Sequence, residues 1–442
     1  MDTKPIDAAD LAVQHVYTLP PKKQSPACFK GIHDPQLNQL ISVALVDAPN
    51  MHRAKARIEQ AQQLAKIAYS TRWPSIDLNG YLEKAYFPVH GTVPPQLALG
   101  ISQGNLADIG FKFNYALDFW GKNRETFASK LSEAFAAQMD LAETQLLLSS
   151  AVATAYFALQ NNMIQQTLAK ENARLLSELA DIIVDRAKQG IESNIPVKTA
   201  IADAETARLS VEDYKRAEMQ SRNQLAVLMG KNPLATHIDA AAFTDHQRSF
   251  ALPKIIPANI LAQRPDIAAA RALAESAAHQ IKVAKTAFFP NINLKGLLSL
   301  QSLYFNKSFN IWLQNDNAGA AFDLPIFDAG ARLANLNAHY AQYEIAVNQY
   351  NQTILNALKE VGDQLSTLKT LHTQIVAQNN VVHNTKSNDT LYQAQYAQGI
   401  IDYPQLIEIK QLVVQQKALL RLLQTRQMQA YVALLTALGG EI

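Results

Sequence analysis

Two very long stretches without helix breakers constrain this chain more than any other feature. Residues 122 to 189 contain neither glycine nor proline, and residues 331 to 398 contain only Gly362. Both stretches are rich in Ala, Leu, Gln, Glu and Lys, which favour helices. At 1.5 Å per residue, each would form a rod of roughly 100 Å. Apolar residues recur in them at spacings of three and four, so we expect both rods to pack against other helices.

The chain follows the same plan twice. The segment "AYSTRWPSIDLNG" at 68 to 80 resembles "AKTAFFPNINLKG" at 284 to 296, and each leads from a helical pattern through an aromatic residue and a proline into an alternating pattern. Such self-similarity indicates an internal repeat. We predict an extended segment at 1–34, a first repeat at 35–230, a linker with three prolines at 231–257, and a second repeat at 258–438.

Each repeat is predicted to contain a shorter helix, two strands and two long helices. In the first repeat, these elements are expected at about 35–71, 75–87, 106–120, 122–189 and 197–229. In the second repeat, they are expected at about 258–287, 291–304, 318–327, 331–398 and 405–438. The glycine-containing turns "KQGIESNIP" and "AQGIIDYP" separate the two long helices of each repeat.

The predicted strands alternate between apolar and polar residues. The clearest apolar series comprises Ile109, Phe111, Phe113, Tyr115, Leu117 and Phe119; the weaker series of the fourth strand comprises Phe322, Leu324 and Ile326. A half-buried soluble sheet would alternate in the same way. However, strands of about ten residues fit a tilted span of a bilayer. The tryptophans also suit a membrane interface, because they lie beside predicted strand boundaries: they are Trp73, Trp120 and Trp312.

Four strands in one chain would leave two unpaired edges. Hydrocarbon does not tolerate unpaired backbone groups, so several chains would have to share one barrel. The start of the sequence allows a different interpretation, because it has no basic region followed by an apolar core, as a signal peptide has. Read literally, it favours a soluble coiled-coil scaffold with a small sheet. Otherwise, the true start lies upstream.

Other classes of function find little support. A net charge of +2 gives no basic field for nucleic acid. The single cysteine, Cys28, excludes an internal disulfide framework and cysteine-based clusters, and the ten histidines lack metal-ligand spacing. The G-x-S-x-G pattern at 100–104 follows two prolines and precedes another strand pattern, unlike a nucleophile elbow. We therefore predict no enzyme activity, no catalytic residue, and no metal or cofactor site.

One motif resembles that of a known family. The segment "LAQRPDIAAAR" at 261 to 271, with the Phe-Pro strand entry that follows it and "DPQLNQLISVAL" near the start, resembles the signature of the TolC-like outer-membrane factors. Within them, it is most similar to the multidrug-efflux outer-membrane lipoproteins. The similarity extends from about residue 34 to residue 438. Its motif residues here are Arg264, Pro265, Asp266, Phe289 and Pro290.

We interpret this motif as structural rather than ligand-binding. Pro265 and Asp266 suit the first turn of a helix, where the fixed φ angle and the positive dipole end favour them. Arg264 would then hold a neighbouring segment by hydrogen bonds. Lipoproteins of this branch begin at an acylated cysteine, but Cys28 has no apolar stretch before it. We interpret Cys28 as an ordinary small residue, with a lipid anchor as the alternative.

The resemblance implies a mainly α fold with transmembrane β-strands. Each chain would give four strands to a homotrimeric, twelve-stranded barrel in the outer membrane, and a long helical barrel would continue it into the periplasm. The implied function is the passive exit duct of a tripartite efflux or type I secretion system. Its partners would be outer-membrane lipid, a periplasmic adaptor protein and an inner-membrane transporter that supplies the energy.

The resemblance also points to functional residues at the turns between the long helices. The turns expected to contact the adaptor contain Gln189, Gly190 and Ile191 in the first repeat and Gln398, Gly399 and Ile400 in the second. The candidates for a periplasmic gate are Asp402, Tyr403 and Glu408. Repeated by threefold symmetry, their carboxylates would form a ring that attracts cations. The alternative is that these acids only favour the start of a helix through its dipole.

Overall fold

A computed structural model describes residues 32, 34–86, 103–235, 238, 264–302 and 314–440. Several of the predictions concern residues outside these ranges. They are Trp312, Cys28, the extended segment up to residue 31, the first residues of the G-x-S-x-G pattern and most of the predicted linker.

The described elements follow one order in both halves of the chain, except that two helices precede the strands in the first half and one helix precedes them in the second. The first half contains helices α1 (Pro35–Asp47) and α2 (Pro49–Ser70), strands β1 (Ser75–Tyr86) and β2 (Gln103–Leu117), and helices α3 (Lys122–Lys188) and α4 (Asn194–Leu228). The second half contains helix α5 (Pro265–Thr286), strands β3 (Asn291–Ser302) and β4 (Gln314–Asp323), and helices α6 (Ala331–Ala397) and α7 (Tyr403–Ala437). None of the helices described is both long and apolar enough to cross a membrane.

Prolines explain where the helices differ from the sequence predictions. The single helix predicted at 35–71 is interrupted at Ala48, which is extended (φ −66°, ψ 132°) because the residue before a proline avoids the helical region. Helices α4 and α7 begin before Pro196 and Pro404, whereas the predicted starts at 197 and 405 followed these prolines. The first turn of a helix tolerates proline, since its N–H groups have no partner within the helix.

The four strands form one antiparallel sheet in the order β1-β2-β3-β4. Ile76 lies opposite Phe113, and Leu78 lies opposite Phe111, which in turn lies opposite Leu298 on β3. Residues that lie directly opposite share a face of the sheet. The apolar positions of β1, β2 and β3 therefore form one face, and it is exposed in the single chain: 69% for Ile76 and 52% for Phe111.

Two strands have different boundaries from those predicted. Strand β2 ends at Leu117, so Phe119 and Trp120 lie in a turn. The chain leaves the sheet there because the Asp118 carboxylate accepts hydrogen bonds from the first backbone N–H groups of α3, at 2.9 and 2.8 Å.

Strand β4 covers residues 314–323 rather than 318–327. It stops before Pro325, which has no N–H group to donate to a ladder, so Leu324 and Ile326 follow the strand. Its first four residues are all polar, so they gave no alternating signal.

The chain divides into two compact units. The strand unit contains Arg57–Gln138 and Ala269–Tyr350, which include the sheet and the adjoining helix ends. The helical unit contains Ala9–Ala56, Met139–Ala268 and Asn351–Ile442. Its largest cluster joins residues of α1, α3, α4 and α7, among them Leu37, Ile41, Val152, Tyr156, Leu159, Leu225 and Val432.

Candidate functional site

The two turns of the helical unit have the same backbone structure. Gly190 and Gly399 have positive φ angles of 76° and 72°, which glycine adopts without strain. The Gly190 and Ile191 N–H groups donate to the carbonyls of Ala187 and Arg186, at 3.0 and 2.9 Å. Gly399 and Ile400 donate in the same way to the carbonyls of Tyr396 and Gln395, both at 2.9 Å. Both turns are therefore Schellman caps.

The helices that leave these turns begin differently. Helix α7 has a capping box: the Asp402 side chain accepts from the Gln405 N–H at 3.3 Å, and the Gln405 side chain accepts from the Asp402 N–H at 3.2 Å. Helix α4 begins after Ser193, whose side chain makes no capping hydrogen bond. The second turn therefore leads into the better-fixed helix start.

Asp402 also binds a residue at the end of α3. The Arg186 guanidinium lies 3.1 Å from the Asp402 carboxylate and 3.3 Å from that of Glu192. One arginine thus links the end of α3, the first turn and the start of α7. These side chains are 33% (Arg186), 50% (Asp402) and 30% (Glu192) exposed, so solvent screens the ion pairs.

Tyr403 makes a second contact with α3. Its hydroxyl donates to the Glu178 carboxylate, and its ring lies 5.2 Å from the Tyr396 ring. The hydrogen bond to Glu178 favours the neutral phenol and so raises the pKa of Tyr403. Glu178 is itself paired with Arg174, at 2.9 Å. The Tyr403 ring also packs against a small core that contains Leu175 and Ile407.

The third gate candidate is separate from this network. Glu408 is exposed, one turn further along α7, and it has no hydrogen bond or ion pair with any residue in the described part of the chain. The α3 partners of the gate candidates are Glu178 and Arg186, and neither was among the predicted site residues. A basic residue in the last helical turn before a glycine marks a helix end, but it does not reveal a partner 216 residues away.

The Arg-Pro-Asp motif forms a second arginine-centred site in the helical unit. The Arg264 guanidinium donates to both Asp266 carboxylate oxygens, at 3.0 and 2.8 Å, and to Glu360 of α6, at 3.0 Å. It also donates to the Ala437 carbonyl in the last turn of α7, at 2.6 Å. Arg264 is only 6% exposed. It therefore joins the start of α5 to α6 and to the end of α7.

The charges of this site also act on a further carboxyl group, that of Glu143. Burial raises the pKa of Glu143, on α3, to about 7, and the negative charges of Asp266 and Glu360 contribute to this rise. Burial alone would lower the pKa of Arg264, but its hydrogen bonds with Asp266 and Glu360 outweigh this effect, so the pKa of Arg264 is raised. Among the described residues, no three His, Cys, Asp or Glu side chains form a metal-binding group.

Aromatic residues connect helix–strand junctions in the strand unit. Trp120 stacks on Phe289, with ring centroids 4.6 Å apart, and its indole N–H donates to the Pro290 carbonyl at 2.8 Å. Trp73 is 61% exposed, in the turn before β1. Phe289 and Pro290 of the sequence motif are thus partners of Trp120.

Comparison with known proteins identifies the family. The profile of the outer membrane efflux protein family matches residues 40–231 and 256–440. The chain belongs to this family. An outer membrane efflux protein is a channel protein and not an enzyme, which confirms the family and the class of function that the sequence motifs indicated. Its place is the outer membrane, from which it extends into the periplasm. The soluble scaffold is not favoured.

Individual relatives agree with the family profile. This outer membrane efflux protein is 29% identical over 434 residues to the multidrug resistance outer membrane protein MdtQ of Escherichia coli O157:H7, covering 92% of this chain and 86% of MdtQ. It is similar to the crystal structure of VceC of Vibrio cholerae, with a TM-score of 0.81 and 25% identity over 94% and 98% of the two chains. For the CmeC channel of Campylobacter jejuni, the TM-score is 0.84, with 24% identity over 93% and 86%.

Proposed function

We propose that this outer membrane efflux protein is the passive exit duct of a tripartite efflux system and works as a homotrimer. The open sheet carries the proposal. Its outer strands, β1 and β4, each have one neighbour, and its apolar face is exposed. Strand edges are not stable in hydrocarbon. Three copies, with β1 of one beside β4 of the next, give a closed barrel of twelve strands.

The helical unit supports the same assembly. Helices α3 and α7 lie between the other two long helices, α4 and α6. Asn162 of α3 donates to Ser221 of α4 at 3.0 Å, and Gln165 of α3 donates to the Ala418 carbonyl of α7 at 2.8 Å. Helix α6 contacts α7 through Gln378. This leaves α4 and α6 as outer helices, with exposed apolar residues such as Leu209 (68%) and Leu391 (60%). In the proposed trimer, α6 of one copy packs beside α4 of the next.

The two Schellman turns are the proposed contacts for a periplasmic adaptor. Each presents an exposed isoleucine, Ile191 (60%) or Ile400 (64%), directly after its glycine. Isolated apolar side chains at the end of a helical hairpin suit the apolar part of a protein interface. A methyl group added at Gly190 or Gly399 would meet no atom within 4 Å, so both turns are open to a partner.

The contacts of Asp402 and Tyr403 with α3 are the proposed gate. They hold the start of α7 against the end of α3, and their release would let α7 move at the entrance. In a trimer, three copies of Asp402 and Glu408 surround the entrance and favour cations. The energy comes from an inner-membrane transporter. The names of relatives such as MdtQ favour drugs as the cargo over the proteins of type I secretion.

Size and conductance test this function together. Protein extracted from the membrane fraction in detergent should have the mass of three chains, and it should form ion channels in planar bilayers. A monodisperse monomer that keeps its β-sheet signal in circular dichroism would contradict the shared barrel. Recovery of the full-length product only in the soluble fraction would instead favour the coiled-coil scaffold.

The adaptor contacts need a separate test in cells. We expect Gly399→Gln, in a host that depends on this duct for drug resistance, to abolish resistance without reducing the amount of trimer in the membrane. The side chain would obstruct the docking surface and strain the positive φ angle, at a cost of about 1–2 kcal/mol. Gly362→Gln is the matched control, because Gly362 lies within α6 with open space around it. Full resistance with Gly399→Gln would exclude the second turn as the contact.

A further inference from the structure

All the helix–strand junctions lie at one end of the antiparallel sheet. Strands β1 and β3 begin at this end, and β2 and β4 finish there, as shown by the pairing of Leu117 with Ile292 and of Asn291 with Asp323. We name the junction residues 69–74, 118–124, 285–290 and 324–332 the junction rim. It belongs entirely to the strand unit.

Contacts join the four segments of the junction rim. The Asn123 side chain donates to the Thr71 carbonyl at 3.0 Å, which joins the first segment to the second. Trp120 joins the second segment to the third through its hydrogen bond to Pro290. The Arg332 guanidinium lies 5.7 Å from the Phe288 ring centroid, which joins the third segment to the fourth. The rim is therefore one continuous surface.

Cationic side chains lie over aromatic rings along this surface. The Arg72 guanidinium is 5.5 Å from the centroid of the Tyr69 ring and 5.9 Å from that of the Phe127 ring. The Lys285 ammonium is 5.7 Å from that of the Tyr340 ring. An aromatic face orients a cation without neutralising its charge. These cations can therefore still bind an anion.

Both carboxylates of the rim are already occupied. Asp118 accepts from the first N–H groups of α3, and Asp328 pairs with Arg332 at 2.6 Å and accepts from the backbone of α6. In contrast, three exposed cations have no carboxylate within 4.0 Å among the residues described: they are Arg72, Lys122 and Lys285. Asp323, at the end of β4, is the nearby acid that lacks an ion pair. The rim therefore has an excess of free positive charge.

We propose that the junction rim binds the headgroups of anionic phospholipids. The inference rests on the proposed function, in which the sheet spans the membrane and the rim lies at the periplasmic interface. The phosphate would contact Arg72, Lys122 and Lys285, while the acyl chains would lie along the exposed apolar face of the sheet. The exposed Trp73 and Trp120 rings suit the headgroup level. Cations beside a membrane surface attract anionic lipid in this way.

Spin-labelled lipids can measure this preference. The full-length protein is reconstituted in phosphatidylcholine vesicles that contain a trace of spin-labelled phosphatidylglycerol or of phosphatidylcholine labelled on the same acyl chain. Electron spin resonance then gives the relative association of the two lipids with the protein. We expect phosphatidylglycerol to be favoured about threefold or more at low salt. The preference should decrease at about 1 M NaCl, because salt at this concentration screens the charges of the rim and of the lipid.

Matched variants assign the preference to the rim. The triple variant Arg72→Gln, Lys122→Gln, Lys285→Gln should reduce the ratio to about one. The control triple variant Lys198→Gln, Lys369→Gln, Lys386→Gln removes the same charge from exposed positions of the helical unit and should leave the ratio unchanged. Should the first triple variant not insert, the three single variants serve instead, and each should lower the ratio.

Three results would overturn the proposal. They are an equal affinity of the wild type for both lipids, a ratio that the rim variant keeps, and competition by inorganic phosphate, which would indicate a site for a free anion rather than for a lipid. Conductance of the same vesicles separates this inference from the proposed function. Vesicles that conduct ions without a lipid preference contradict the rim site alone, whereas wild-type vesicles that do not conduct contradict the duct itself.

Discussion

Two arginines of the helical unit bind carboxylates in very different surroundings. Arg264 is 6% exposed and donates to Asp266, to Glu360 and to a helix-end carbonyl. Arg186 pairs with Asp402 and Glu192 where solvent reaches all three side chains. Removal of one partner from a buried ion pair leaves an uncompensated charge, whereas exposed pairs contribute little to stability. The two sites therefore differ in the burial of the arginine and not in the exposure of the carboxylates, which is 26–53% at the first site and 30–50% at the second.

The largest expected effect on stability comes from removing the buried arginine, Arg264. Arg264→Ala leaves Asp266 and Glu360 without their cation and the Ala437 carbonyl without its donor. Because both carboxylates are partly exposed (26% and 53%), we expect the free energy of unfolding of the helical unit to fall by about 2–3 kcal/mol, mainly from the lost charged hydrogen bonds. Arg186→Ala is the matched control and should cost no more than about 1 kcal/mol. Denaturant unfolding followed by circular dichroism measures both, and equal losses would remove the distinction between the two sites.

The buried site should also make stability depend on pH. The pKa of Glu143 is about 7 in the folded protein, above its ordinary value of 4.5. The folded state therefore holds this proton more tightly, so the contribution of Glu143 to stability is complete below pH 4.5, falls as the pH rises to about 7, and is constant above that.

Glu143→Gln removes this titration. At pH 8, the variant should be more stable than the wild type by about 1–3 kcal/mol, and this advantage should vanish near pH 4. Glu133→Gln, on the same helix, removes a half-buried carboxylate that pairs with Lys130, and it is the control for the loss of a carboxylate as such. Unfolding midpoints measured from pH 4 to pH 8 test this, and a flat difference between Glu143→Gln and the wild type would contradict the shifted pKa.

The sequence revealed elements better than it revealed these sites. Periodicity and breakers predicted the long helices and three of the four strands within a few residues, because packing faces repeat at short range. The polar start of β4 had no such signal. Two partners of Arg264, Glu360 and the Ala437 carbonyl, lie 96 and 173 residues away from it, and only the fold brings them together. The same holds for Arg186 and Asp402, although the N-cap position of Asp402 could have been found from Pro404 and Gln405.

A smaller effect on stability, but a clear one on transport, is expected at the exposed pair. The double variant Asp402→Ala, Glu408→Ala removes the bond to Arg186 and the cap of α7. It also removes both carboxylates that each copy contributes to the proposed ring at the entrance. Its cost in stability should be about 1 kcal/mol, most of it from the lost cap. Single-channel conductance in planar bilayers should rise, and cation selectivity should fall.

The first turn provides the control for this effect. Ser193 occupies the N-cap position of α4 but makes no capping bond, so Ser193→Ala should change neither stability nor conductance. Unchanged conductance and selectivity in the double variant would remove the gate from the proposed function. The trimeric duct would still stand, because it depends on the sheet and the outer helices.

The smallest expected effect concerns a single hydroxyl. Tyr403→Phe keeps the ring that packs near Leu175 and Ile407 but removes the hydrogen bond to Glu178. Since Glu178 keeps its ion pair with Arg174, the loss of stability should be only about 0.5–1.5 kcal/mol. If the bond helps to hold the gate closed, the variant channel should open more often while its open conductance stays at the wild-type value. Tyr396→Phe is the control: it keeps the neighbouring ring and removes a hydroxyl that takes no part in the bond between Tyr403 and Glu178. It should leave the open probability unchanged. Equal open probabilities for wild type and Tyr403→Phe would assign Tyr403 to packing, and the gate would then depend on Arg186 and Asp402 alone.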